Sequence, residues 1–129
     1  MNEINPNVLS PLVLTYIGDS VYELFVRNKL IELFSTTPPS KLHKLSSAHV
    51  KAHAQSNSMK VIEPQLSEKE LSVYKRGRNA KSATVPKNAD VTDYRRATGF
   101  EALIGYLYLN KESERLHEIM EIAFSNYTD

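Results

Sequence analysis

Apolar residues recur every three or four positions through most of this chain, and no stretch alternates convincingly with the period of two that a half-buried strand would show. Leu12, Tyr16, Val21, Leu24 and Phe25 fall along one helical stripe. Ser10-Pro11 supplies a start for that helix, a hydroxyl N-cap followed by proline at the first helical position. The helix is predicted to run to about Phe34, where "STTPPS" stops it because proline cannot continue the hydrogen-bond ladder. Ser40 can cap a short helix over "KLHKL", and Ser46 or Ser47 another that lasts to about Val61 before Pro64. Ser67 with Glu70 reads as a capping box opening a helix to about Arg78. A polar, basic connection follows, then an apolar helix from about Asp90 to Leu109 and an amphipathic one from about Glu112 to Tyr127. The expected fold is all-α, one domain over residues 1–129, without repeats or low-complexity segments.

Two of these helices place an acid among apolar neighbours. "TYIGDSVYELFVR" carries Asp19 and, one turn on, Glu23. "RRATGFEALIGYLYLN" carries Glu101 between Phe100 and the run Leu103, Ile104, Leu107, Tyr108. A carboxylate beside a packed face must be paired, bound to a metal or exposed. Magnesium takes oxygen ligands, usually one or two carboxylates completed by water and substrate phosphate, so two acids from packed helices can begin such a site. Gly105, one turn after Glu101, costs about 1 kcal/mol against alanine in a helix interior and points to close approach of a second helix or a ligand.

Composition narrows the chemistry. There is no cysteine, which excludes disulfides, thiolate metal sites and cysteine nucleophiles. Four glycines in 129 residues leave no phosphate-cradling loop of an α/β nucleotide-binding fold. His49 and His53 stand at the i, i+4 spacing of a zinc-binding helix. Val50 occupies the place of the metalloprotease glutamate and no third ligand is evident, so packing or surface histidines are the simpler reading. The His-Asp pairs of all-α metal phosphohydrolases are absent. "MNEINPNVLS" lacks the basic and apolar regions of a signal peptide, and no apolar run approaches the ~20 residues that span a bilayer. No membrane association is expected, and the cytoplasm is the expected location.

The formal net charge of +1 conceals a division. Residues 75–96 hold seven basic and two acidic side chains, a net of +5, whereas the rest of the chain holds nine basic and thirteen acidic ones, a net of −4. Such a segment projects a positive field that a polyanion would feel.

Taken together, "LTYIGDSVYE" and "TGFEALIGYLYL" resemble the two signature regions of the ribonuclease III catalytic domain. The intervening "KRGRNAKS" is similar to the Mini-ribonuclease III branch, which lacks the appended double-stranded-RNA-binding domain. The resemblance runs in order from about Leu9 to Asn110. It implies that Asp19 and Glu101 are catalytic and bind metal, with Mg2+ as cofactor. Glu23 could add an outer-shell contact through water, or pair with Arg27 at i, i+4. Larger ribonucleases III carry acids at the positions of Leu12, Thr15 and Thr98. One firmly held magnesium, with another recruited by RNA phosphate, is therefore the expectation.

The resemblance further implies a homodimer that cuts both strands of a duplex, leaves 5′-phosphate and 3′-hydroxyl ends with short 3′ overhangs, and matures 23S ribosomal RNA precursor. A ribosomal protein bound to the substrate is a candidate further partner. With no second RNA-binding domain, the catalytic domain must grip the duplex, and Arg76, Arg78, Asn79, Lys81, Ser82, Lys87, Arg95 and Arg96 are the candidate contacts. The competing reading is a non-catalytic double-stranded-RNA-binding dimer of the same fold.

Overall fold

A computed structural model describes residues 3–81, 85–87 and 89–127. Six α-helices follow one another: α1 (Pro11–Leu33), α2 (Pro39–Val50), α3 (Ala52–Ile62), α4 (Glu68–Asn79), α5 (Val91–Leu109) and α6 (Ser113–Asn126). Short 3-10 turns cover Pro6–Val8 and Glu63–Gln65, and no strand occurs among the described residues. No helix there is long and apolar enough to cross a membrane.

α5 is the axis of the molecule, with α1, α3, α4 and α6 packed around it. The reason lies in its sequence: from Ala97 to Leu107 every residue except Glu101 is buried, as expected of a helix apolar on all sides. Tyr22 of α1 meets Phe100 edge-on at 4.9 Å between ring centroids, the geometry favoured by the ring quadrupoles. Side-chain caps set three of the six helix starts. Ser10 Oγ accepts from the Val13 N–H, Asp90 Oδ1 accepts from the Asp93 N–H, and Ser67 and Glu70 form the expected reciprocal capping box. Glu70 also receives a two-pronged ion pair from Arg115, with Nε at 2.8 Å and Nη2 at 2.9 Å, which clamps α4 to α6.

Two expectations need correction. The buried stripe of α1 is Leu14, Gly18, Tyr22, Val26 and Leu30, whereas Leu12, Tyr16 and Leu24 are exposed and Val21 and Phe25 half-buried. α1 has two apolar faces, and close approach at Gly18 decides which of them meets α5. The next two helices also divide differently. Ser40 lies inside α2 and Ser46 is buried within it, its Oγ donating back to the His43 carbonyl. The break falls instead at Lys51, whose backbone is extended (φ −63°, ψ 149°).

Candidate active site

Where α1 crosses α5, backbone touches backbone. A Cβ on Gly18 would overlap the Glu101 carbonyl oxygen, and one on Gly105 would overlap the Leu14 carbonyl oxygen. Glycine on both helices therefore permits a crossing that no other residue allows. Asp19 follows Gly18 directly, so the same crossing brings its side chain onto Glu101. The two carboxyls therefore face each other across the crossing, near enough for the charge of Asp19 to act on Glu101.

Burial pushes the Glu101 carboxyl from 4.5 up to about 9, and the hydrogen bond and negative charge of Asp19 push it the same way. The Gln55 amide of α3 also faces Glu101 and pulls in the opposite direction. That pull is weak, because Gln55 Nε2 is buried and lacks a hydrogen-bond partner at good distance and angle. Asp19 is exposed and Glu101 partly so, which leaves the pair open to solvent on one side. Such a pair suits a hard divalent cation: the donors are oxygens, and a cation between them offsets the burial and the repulsion that otherwise keep Glu101 protonated. No group of three or more His, Asp or Glu converges among the described residues. Water and phosphate would complete the coordination of any ion held here.

Thr15 and Thr98 lie at the same crossing. Thr15 Oγ1 donates to the Thr98 carbonyl at 2.9 Å, and Thr98 Oγ1 donates to the Tyr94 carbonyl at 2.9 Å. Both hydroxyls are thus engaged with backbone. Glu23 stands 3.6 Å from Arg27, the i, i+4 pairing that was one of its two expected roles.

His49 and His53 do not share a helix face, because the break at Lys51 separates them. His49 is buried, its ring 4.4 Å from Phe124 and 4.2 Å from Tyr127. His53 is exposed and bonds Asp93 at 2.8 Å across the α3–α5 contact, which holds the Asp93 carboxyl below its ordinary range.

The candidate RNA contacts separate into two groups. Arg76 is exposed and lines a groove with Ser72, Lys75 and Asn79 that reaches Pro11 at the start of α1. Arg78, two residues on, turns to the other side of α4, where its guanidinium lies 5.7 Å from the Tyr74 ring centre and its Nε donates to Asn79 Oδ1. Arg96 acts electrostatically on that same Tyr74, so Arg78 and Arg96 belong to one neighbourhood. Lys81, Lys87 and Arg95 are exposed, and Ser82 lies outside the described residues. Gly18 and Gln55 had not been singled out from sequence. A glycine interrupting an apolar helix was a usable signal for Gly18, as it was for Gly105. Gln55 had none, lying in a helix half composed of polar residues.

Residues 12–112 match the Ribonuclease III domain family. A protein of Clostridium tetani described as Mini-ribonuclease 3 is 52% identical over 121 residues, covering 94% of this chain and 80% of its own. The Mini-ribonuclease 3 of Symbiobacterium thermophilum is 45% identical, covering 95% of this chain and 94% of its own. Among solved structures, a crystallised protein of Fusobacterium nucleatum superposes with a TM-score of 0.82 at 34% identity, over 92% of this chain and 93% of that one.

Proposed function

Because this chain belongs to the ribonuclease III family of endoribonucleases, we propose that it hydrolyses double-stranded RNA with Asp19 and Glu101 holding a magnesium ion at the α1–α5 crossing. The observation that carries this reading is the glycine-permitted crossing of α1 and α5, where Gly18 touches the Glu101 backbone and Asp19 follows directly, so that two acids face each other at one point. Two acids forced together, one of them largely desolvated, are costly without a cation and useful with one. When bound, magnesium supplies activated water at neutral pH and neutralises charge on the phosphoryl oxygens. Asp19, exposed on the solvent side, gives the pair its open approach, and Glu101 anchors it to the rigid central helix. Glu23, one turn along α1, would hold an outer water once released from Arg27. The expected products carry 5′-phosphate and 3′-hydroxyl ends.

The grip on the duplex falls to the two basic groups described above, Arg76 with Lys75 and Asn79, and Arg78 with Arg96. Lys81, Lys87 and Arg95 extend the field, and A-form RNA offers mainly phosphates and 2′-hydroxyls to such a surface. Val13, Tyr16, Leu24 and Ile31 are exposed apolar residues on α1, with Tyr16 80% accessible. A face of this kind supports the homodimer, in which two sites address the two strands. The expected substrate remains 23S ribosomal RNA precursor in the cytoplasm, with or without a bound ribosomal protein, as the resemblance of the signature motifs implies.

Long duplex RNA incubated with the purified dimer and magnesium is the test. Discrete shortening with 5′-phosphate ends is expected. Salt-sensitive binding without any cleavage would leave the non-catalytic duplex binder as the correct reading.

A further inference from the structure

Gln55 is 2% exposed, and its Nε2 has no hydrogen-bond partner. An unpaired buried amide destabilises a protein by on the order of 1–3 kcal/mol, and buried polar groups without partners are uncommon enough to call for a reason. Packing does not supply one. Met59 and Ile62, one and two turns further along α3, are fully buried and apolar, and a methionine at position 55 would fill similar volume without a stranded donor. What distinguishes the position is its outlook, because the amide faces Glu101 across the α3–α5 contact. The amide thus sits beside the Glu101 carboxyl without the distance and angle of a fully formed hydrogen bond.

We propose that Gln55 is a positioning residue for the Glu101 carboxylate, its Nε2 donating to one Glu101 oxygen so that the other is held toward a divalent cation shared with Asp19. A carboxylate has two oxygens and rotates about its terminal torsion; a donor fixed in the core on one side selects one orientation. Partners of this kind typically change metal affinity by about 10- to 100-fold when removed, although they never touch the ion. The inference rests on the reading of Asp19 and Glu101 as the cation-holding pair, and adds a third helix, α3, to the construction of the site.

The experiment is Mn2+ binding to the RNA-free protein, followed by calorimetry or by the spin resonance of free manganese, together with thermal unfolding. For Gln55→Met the expected result is an affinity about tenfold weaker or more, with a Tm equal to or above that of the wild type. A lowered Tm with unchanged Mn2+ affinity would show a structural residue only and overturn the proposal. A wild type that binds no Mn2+ would overturn the reading of the site itself, a distinguishable failure. A second measurement needs no variant: the Gln55 side-chain amide resonances of the unaltered protein should move downfield on saturation with Mg2+. Resonances unmoved by Mg2+ that perturbs Asp19 and Glu101 would equally overturn it.

Discussion

Replacing Glu101 by glutamine should stabilise the metal-free protein while destroying its site. The carboxyl of Glu101 is raised from 4.5 to about 9 in the folded chain. An acid whose folded value is raised binds its proton in the native state at pH values where the unfolded chain has released it. Stability is therefore lost as pH climbs from 4.5 toward 9. Each such pH unit corresponds to 1.36 kcal/mol, so at pH 7.5 the ceiling is about 4 kcal/mol. The pair is open to solvent on the Asp19 side and can relax, which reduces the expected gain for Glu101→Gln to about 1–3 kcal/mol. Glutamine keeps the shape and can donate to Asp19 without titrating. Urea unfolding in EDTA, at fixed protein concentration and at pH 5 and 7.5, gives the comparison. The variant should exceed the wild type at pH 7.5 and nearly match it at pH 5. Added Mg2+ should then raise the stability of the wild type alone, since only a ligand that binds the native state shifts the equilibrium. A variant less stable than wild type at pH 7.5, or equally advantaged at both pH values, would refute this account of Glu101.

Gly18→Ala should lower stability by about 3 kcal/mol and weaken Mn2+ binding, because the new methyl meets the Glu101 backbone and must part α1 from α5; thermal unfolding and Mn2+ titration check both. Arg115→Met strands the buried Glu70 carboxylate and should cost about 2 kcal/mol near neutrality. Arg115 holds the Glu70 carboxyl below 4.5, so the cost should be full above that pH and shrink as acid protonates Glu70, as urea unfolding between pH 3 and 7 would show. Arg76→Ala and Arg78→Ala should each weaken duplex RNA binding, measured in calcium against potassium chloride, and each lower the log–log salt slope by roughly one unit. Since the two side chains lie on different sides of α4, their effects should add, and a variant with unchanged affinity and slope would place its side of the helix outside the RNA surface.

Helix starts that depend on one side chain bonding one N–H were legible in the sequence: Ser10, and Ser67 with Glu70, act where expected, and Asp90, expected only as the place where a helix begins, caps α5. The break at Lys51 was not, because neither proline nor glycine marks it and no side chain caps the helix that follows. Nor could periodicity choose between the two apolar faces of α1. That choice is made by Gly18, whose meaning depends on Gly105 eighty-seven residues away. Asp19 and Glu101 stood out as acids in apolar surroundings, and the structure adds the crossing that joins them. Arg76 and Arg78 stand two apart on α4 and so do not face the same way, a division that the count of charges along the chain does not show. Gln55 stayed hidden because its burial is decided by the helices packed over it and not by its own neighbours in sequence.

The central claim is that two carboxylates at one helix crossing hold the ion that cuts duplex RNA. Single-turnover cleavage of a long RNA duplex by the wild type and by Asp19→Asn, across a magnesium titration, tests it most directly. The wild type should show no cleavage in EDTA and a saturable rise with magnesium, whereas Asp19→Asn, folded and still binding the duplex, should stay inactive throughout the titration. Cleavage by Asp19→Asn at near the wild-type rate, or wild-type cleavage that persists in EDTA, would contradict it.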